Sequence, residues 1–158
     1  MATALVTGAT AGIGNAYAQL LAKEGFDLIL VARNLPRLKK VAAQLSKDYG
    51  VKATCLKADL SESAQLLKVE KVLASTSRPV EVLINNAGFG IKESFTDSNI
   101  KAEQELLDVL VTAPMRPSVR PQSGGRSGLC LRQTPAARPR PQPPERRQRR
   151  AARCLGPC

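Results

Sequence analysis

The sequence predicts an α/β protein built on a doubly wound parallel sheet of about four strands with flanking helices, followed by a disordered tail. Three observations carry this expectation. Short apolar runs alternate with helical patterns over residues 2–116, the signature of strands joined by helical crossovers. A glycine triplet, Gly8, Gly12 and Gly14, stands between the first apolar run and the first helical pattern. The composition then changes abruptly. Up to Arg116 there are 10 Lys and 4 Arg against 12 acidic residues, whereas residues 117–158 hold 10 Arg, 8 Pro, one Glu and no Lys.

Each element has a local reason. Residues 2–7 form an apolar run that stops at Gly8, which suits a buried first strand. The helical pattern that follows places Ile13, Ala16, Tyr17, Leu20 and Leu21 on one face, and Gly25 closes it. Residues 27–32 are continuously apolar after Asp27, as expected of a strand covered on both faces. Asn34 can cap a second helix whose apolar face uses Leu35, Leu38, Val41, Ala42 and Leu45, and Gly50 ends it. A third strand is expected over 51–56, then a helix from Ser61 with Leu66, Leu67 and Val69 inside. The fourth strand, 80–84, stops at Asn85-Asn86-Ala87-Gly88. A last helix is expected from about 97 to 114, burying Leu106, Leu107, Leu110 and Val111. Right-handed crossovers between such strands impose a parallel sheet.

The formal charge of +11 suggests nucleic acid until it is divided. Residues 1–116 carry a net +2 and residues 117–158 a net +9. The basicity belongs to the tail, which has no aromatic residue to stack on bases, so nucleic acid is disfavoured as a partner. Recurrent Pro and the lack of an apolar face leave that tail unable to offset the entropy of ordering. Neither a signal peptide nor a membrane span is expected, and the cytoplasm is the default location. Cys55 reads as a small buried hydrophobe within a strand. Cys154 and Cys158 have neither a His nor a second close pair to complete a zinc site, so no metal is expected.

The glycine turn has a mechanical reading. Gly8 allows a sharp turn, Gly12 allows the backbone to approach a pyrophosphate, and Gly14 lets the helix pack close to the strand. The first helical amides then face the anion, aided by the helix dipole. The end of the second strand selects the dinucleotide, because an acid there would take the ribose 2′-hydroxyl of NAD and an Arg would take a 2′-phosphate. Here the chain has Val31-Ala32-Arg33-Asn34 and no acid. Pairing of Arg33 with phosphate, worth roughly 1.5–3 kcal/mol, favours NADP(H) over NAD(H). Arg37, one turn later, can help. The competing assignment for Arg33 is a solvated surface arginine.

In this order, the motifs resemble those of the short-chain dehydrogenase/reductase family over about residues 2–116. The turn Thr7-Gly8-x-x-x-Gly12-Ile13-Gly14, with Thr10 inside it, is similar to the family's cofactor turn, which makes residues 1–116 a Rossmann-type NADP(H)-binding region. Asp59-Leu60 matches the pair that contacts adenine, and Asn85-Asn86-Ala87-Gly88 matches the motif after strand four. The resemblance implies that Asp59 binds the adenine amine and that Asn86, Ala87 and Gly88 border the ribose. Asn85 either shares that border or mainly ties the fourth strand to its neighbour. It further implies the strand order 3-2-1-4, which leaves the fourth strand as an exposed edge, and homo-oligomers whose interface helices are partly or wholly gone here.

Family members transfer hydride between nicotinamide and a carbonyl or alcohol, using a Ser and a Tyr-x-x-x-Lys pair. This sequence has only Tyr17 and Tyr49, and four residues beyond them stand Leu21 and Ala53. The chain is therefore expected to bind a dinucleotide without turning over a substrate. The sudden exchange of Lys for Arg, Pro, Ala and Gly has the pattern of a shifted reading frame in GC-rich DNA, the origin inferred for residues 117–158. A regulatory NADP-binding protein, or weak sequence-blind nucleic-acid binding by the Arg-rich tail, are the alternative functions.

Overall fold

The computed structural model describes residues 2–94, 96–119 and 129–131. Strands β1 (Thr3–Thr7), β2 (Asp27–Ala32), β3 (Ala53–Lys57) and β4 (Val82–Ile84) alternate with helices α1 (Gly12–Lys23), α2 (Leu35–Tyr49) and α3 (Ser63–Leu73). After β4 come α4 (Ile100–Leu107), a π-helical turn (Asp108–Thr112), α5 (Ala113–Val119) and a short β5 (Leu129–Leu131). The strands are parallel in the order β3-β2-β1-β4-β5. The fold is thus the doubly wound, Rossmann-like sheet that the sequence predicts.

Strand alternation sorts the core into two layers. Ala4, Val6, Leu28 and Leu30 meet Ala18 and Ala22 of α1 and Leu38, Ala42 and Leu45 of α2. Leu5, Ile29, Val31 and Leu83 face the other way, against Leu66, Val69 and Leu73 of α3 and Val109 and Ala113 beyond it. All five positions of β1 are buried, as a central strand covered on both faces requires. The ends of α2 follow its sequence: Asn34 Oδ1 accepts from the Arg37 amide at 3.0 Å, and Gly50 closes the helix at φ +70°.

Five expectations are corrected. In α1 the buried positions are Gly14, Ala18 and Ala22, while Ile13 is 70% and Leu20 53% exposed. Exposing two such side chains forgoes about 1.5–3 kcal/mol each, so a stronger constraint sets the helix's rotation. That constraint is the close approach of Gly14 to the first turn, described below. In α3, Leu67 is exposed and the buried stripe is Leu66, Val69, Glu70 and Leu73.

The last helical region is not one regular helix. Pro114 lacks an N–H and its ring would clash with the Leu110 carbonyl, and the ladder widens to a π turn just before it, with the Ala113 amide bonded to Asp108 O. The extra residue shifts the helical phase. Val109 and Ala113 become the buried positions, and Leu107, Leu110 and Val111 are exposed.

The expectation that proline breaks every element after Arg116 also fails. Pro117 lies inside α5, whose last turn is held by tertiary contacts on both sides. The β4 edge pairs with Leu129–Leu131, in register Val82↔Leu129 to Ile84↔Leu131. An unpaired edge accepts a short apolar triplet once one lies within reach. The remainder of the expected tail, with Cys154, Cys158 and its Arg cluster, lies outside the described residues.

Candidate functional site

In a sheet ordered 3-2-1-4 the chain direction of winding reverses between β1 and β4, and a crevice opens there above the strands' carboxyl ends. A groove of about 620 Å³ occupies it, within the range of small-molecule and cofactor sites. Gly8, Thr10, Gly12, Ile13, Arg33, Asp59, Leu60, Asn86, Ala87 and Gly88 all line it. Of the candidate cofactor residues singled out from sequence, Gly14 and Asn85 do not. Gly14 has a structural place instead. It lies beneath, where a Cβ would collide with the Gly8 carbonyl and the Asn86 amide nitrogen.

The turn is a dense hydrogen-bonded unit. Thr7 Oγ1, at the end of β1, donates to Ile84 O at 3.2 Å and accepts from the amides of Asn86 and Ala87 at 2.9 and 3.0 Å. Asn86 Nδ2 donates back to Thr7 O and Gly8 O at 3.2 and 3.4 Å. The Asn86 side chain thus supports the turn while its residue borders the groove. Gly8 sits at φ +69°, and a Cβ there would come within 2.9 Å of Ala87 Cα. A Cβ on Gly12 would meet nothing within 4 Å, so the backbone at this point faces open groove. Helix α1 begins with Ala11 as N-cap and no capping side chain, which leaves its first amides available to an anion in the groove.

Charge gathers at the β2–β3 end. Arg33 Nη1 lies 3.9 Å from Asp59 Oδ2, with the arginine side chain 68% exposed. An ion pair so long and so solvated is weak, and it leaves the guanidinium free to turn toward a stronger anion. Asp59 is more firmly placed: its Oδ1 accepts from the Ser61 amide at 3.1 Å and from Ser61 Oγ at 2.8 Å. Arg37 lines the same end. Two arginines and one carboxylate thus line the groove.

The opposite wall comes from the segment after β4 and from Val109. Asn85 is buried and does not line the groove; its Nδ2 donates to Ser118 Oγ at 3.3 Å and to Pro114 O at 3.5 Å. Its role is to tie the end of β4 to α5. Sequence reasoning missed Thr7 as the hub of the turn, although it stands directly before Gly8. It also missed Phe89 and Val109, for which no sequence signal exists because each reaches the groove through tertiary packing alone.

Among the described residues the lining contains no Tyr, Lys or Ser. Tyr17 and Tyr49 stand on α1 and α2, outside it. Burial pushes the Cys55 thiol up, against a smaller opposing effect of Lys39, so this β3 cysteine stays protonated near neutral pH. No helix among the described residues is long and apolar enough to cross a membrane.

A family model described as short chain dehydrogenase matches residues 2–120. A very-long-chain 3-oxoacyl-CoA reductase of Candida albicans is 35% identical over 117 residues, covering 72% of this chain and 33% of that protein. The solved structure of a short-chain dehydrogenase from Sphingobium yanoikuyae in complex with NADPH superposes with a TM-score of 0.71 at 39% identity, covering 74% of this chain and 46% of that one. L-sorbose reductase of Gluconobacter frateurii, complexed with NADPH and L-sorbose, gives 0.69 at 32% identity, with 74% and 44% covered. The chain thus spans less than half the length of these relatives. The turn, the strand order and the family match agree, and the chain belongs to the short-chain dehydrogenase family.

Proposed function

We propose that this chain is an NADP(H)-binding protein with the cofactor half of a carbonyl–alcohol oxidoreductase, and that by itself it does not catalyse hydride transfer. The observation that carries this reading is that Arg33, loosely paired with Asp59 where β2 stops, and Arg37 line the groove with Asp59 as its one acid. The residues present fit the cofactor. The α1 amides and the open side of Gly12 accommodate a pyrophosphate, and the guanidinium groups accommodate a 2′-phosphate. Asp59 and Leu60 border the adenine side, and Asn86, Ala87 and Gly88 the other ribose. Support comes also from the Sphingobium and Gluconobacter relatives, both solved with NADPH.

When bound, the cofactor supplies a hydride for a carbonyl or accepts one from an alcohol. The chain's residues bind and orient it. Proton transfer at the substrate oxygen needs a group that this sequence lacks, since neither tyrosine has a Lys four residues on. That loss alone costs about 10²–10⁴ in rate. Titration of the full chain with NADPH and NADH, followed by thermal melting, tests the reading. NADPH should bind roughly ten- to a hundredfold more tightly, and Arg33→Asp should erase the preference. Equal affinity for both nucleotides in the unsubstituted chain would refute the NADP assignment.

A further inference from the structure

We propose that Arg116 is a positioning residue for the groove, acting through Glu70 and α5 on the wall opposite Arg33. The inference rests on the reading that the groove takes NADP(H). Arg116 does not line the groove. Its Nε lies 2.7 Å from Glu70 Oε1, on a carboxylate only 3% exposed, and its Nη1 donates to Ser63 Oγ at 3.1 Å. One guanidinium therefore grips α3 at two points. Its planar fork presents the two donors in a fixed geometry, which a rotatable ammonium does not. The carboxylate is buried in the α3 stripe between Val69 and Leu73, so losing the cation would weaken the compensation of a buried charge.

The turn of α5 fixed in this way also holds the groove. Pro114 O and Ser118 Oγ, two residues before and after Arg116, are the acceptors for Asn85 Nδ2. Asn85 is followed directly by Asn86, Ala87 and Gly88, which form the wall. Upstream on the same helical run, Leu110 Cδ2 is 3.0 Å from where a Gly88 Cβ would stand, and Val109 lines the groove. The helical run therefore meets this wall at two places, and Arg116 anchors the run to α3. The Arg33 end has its own ties, because Asp59 is held by Ser61, its amide donates to Gln65 Oε1 near the start of α3 at 2.9 Å, and Arg33 stands on the far side of β1.

This asymmetry gives a test that a general loss of stability cannot mimic. NADPH spans both ends of the groove, whereas 2′,5′-ADP carries only the adenosine half. Calorimetric titrations of the full chain would compare the unsubstituted protein, Arg116→Ala, and a double variant, Glu70→Leu with Arg116→Met. Replacing both charges with apolar side chains removes the pair without leaving a buried charge, so the double variant should fold even if the single one does not. We expect the folded double variant to lose roughly tenfold in NADPH affinity and to bind 2′,5′-ADP as the unsubstituted chain does. Unchanged NADPH affinity in that variant, or parallel weakening of both ligands, would overturn the role of Arg116 while leaving the groove assignment intact. Failure of the unsubstituted chain to bind either ligand would overturn both.

Discussion

The glycine turn and the helical wall across the groove from it are held by different physics. In the turn, backbone groups and short side chains meet at close quarters. Gly14 lies against the Gly8 carbonyl, Asn86 clasps the turn, and Thr7 Oγ1 serves three partners. In the wall, side chains span wider gaps: Arg116 reaches Glu70 and Ser63, the Asn85 amide reaches Pro114 O and Ser118 Oγ, and a π turn precedes Pro114. Leu107, Leu110, Val111 and Met115 of that wall remain exposed. Tight steric contact admits few residue types at a position, whereas long side chains and exposed apolar faces admit many. The turn should therefore be intolerant of substitution and the wall forgiving, except at its anchor.

The sharpest way to break this contrast is Gly14→Val. Its branched side chain would enter space already filled by Gly8 and Asn86, and overpacking costs about 1–3 kcal/mol or more. Urea unfolding should show a loss at the upper end of that range together with abolished NADPH binding. A midpoint matching the unsubstituted chain would mean that the turn is not the rigid unit described. Thr7→Val comes next, since it keeps the shape and deletes the hydroxyl. Two amides then lose an acceptor and Ile84 O loses a donor, for about 2 kcal/mol, read from the same unfolding curve. The smallest effect is expected at Val111→Lys on the exposed wall, within ~0.5 kcal/mol. A larger loss there would show that the exposed face is covered by something in solution.

Much of the fold was legible because its signals are local. Apolar runs at β1 and β2 are continuous because both faces are covered, and the ends of α2 carry their own capping residues in Asn34 and Gly50. The lining of the groove was also largely legible, since its glycines, Arg33 and Asp59 stand at the ends of strands that alternate with helices. What escaped was anything set by phase or by distant contact. Periodicity assigned Ile13 and Leu20 to the buried face of α1, and the Gly14 contact turned that face outward. The π turn did the same to Leu107, Leu110 and Val111. The triplet 129–131 was hidden by its proline-rich surroundings, because strand pairing depends on the edge offered by β4 and not on local composition.

The amino-acid sequence alone determined the kind of layers this protein builds, the glycine turn after β1 and the arginine at the end of β2. Those features follow from backbone conformation and from residues adjacent along the chain. Only the tertiary structure decided which helix faces were buried, that Thr7 and Asn86 would bind each other across the sheet, and that Glu70 would be neutralised by Arg116. These depend on which surfaces come together over long separations in sequence. Such contacts are selected by the free energy of the whole packed core, and no stretch of chain encodes them by itself.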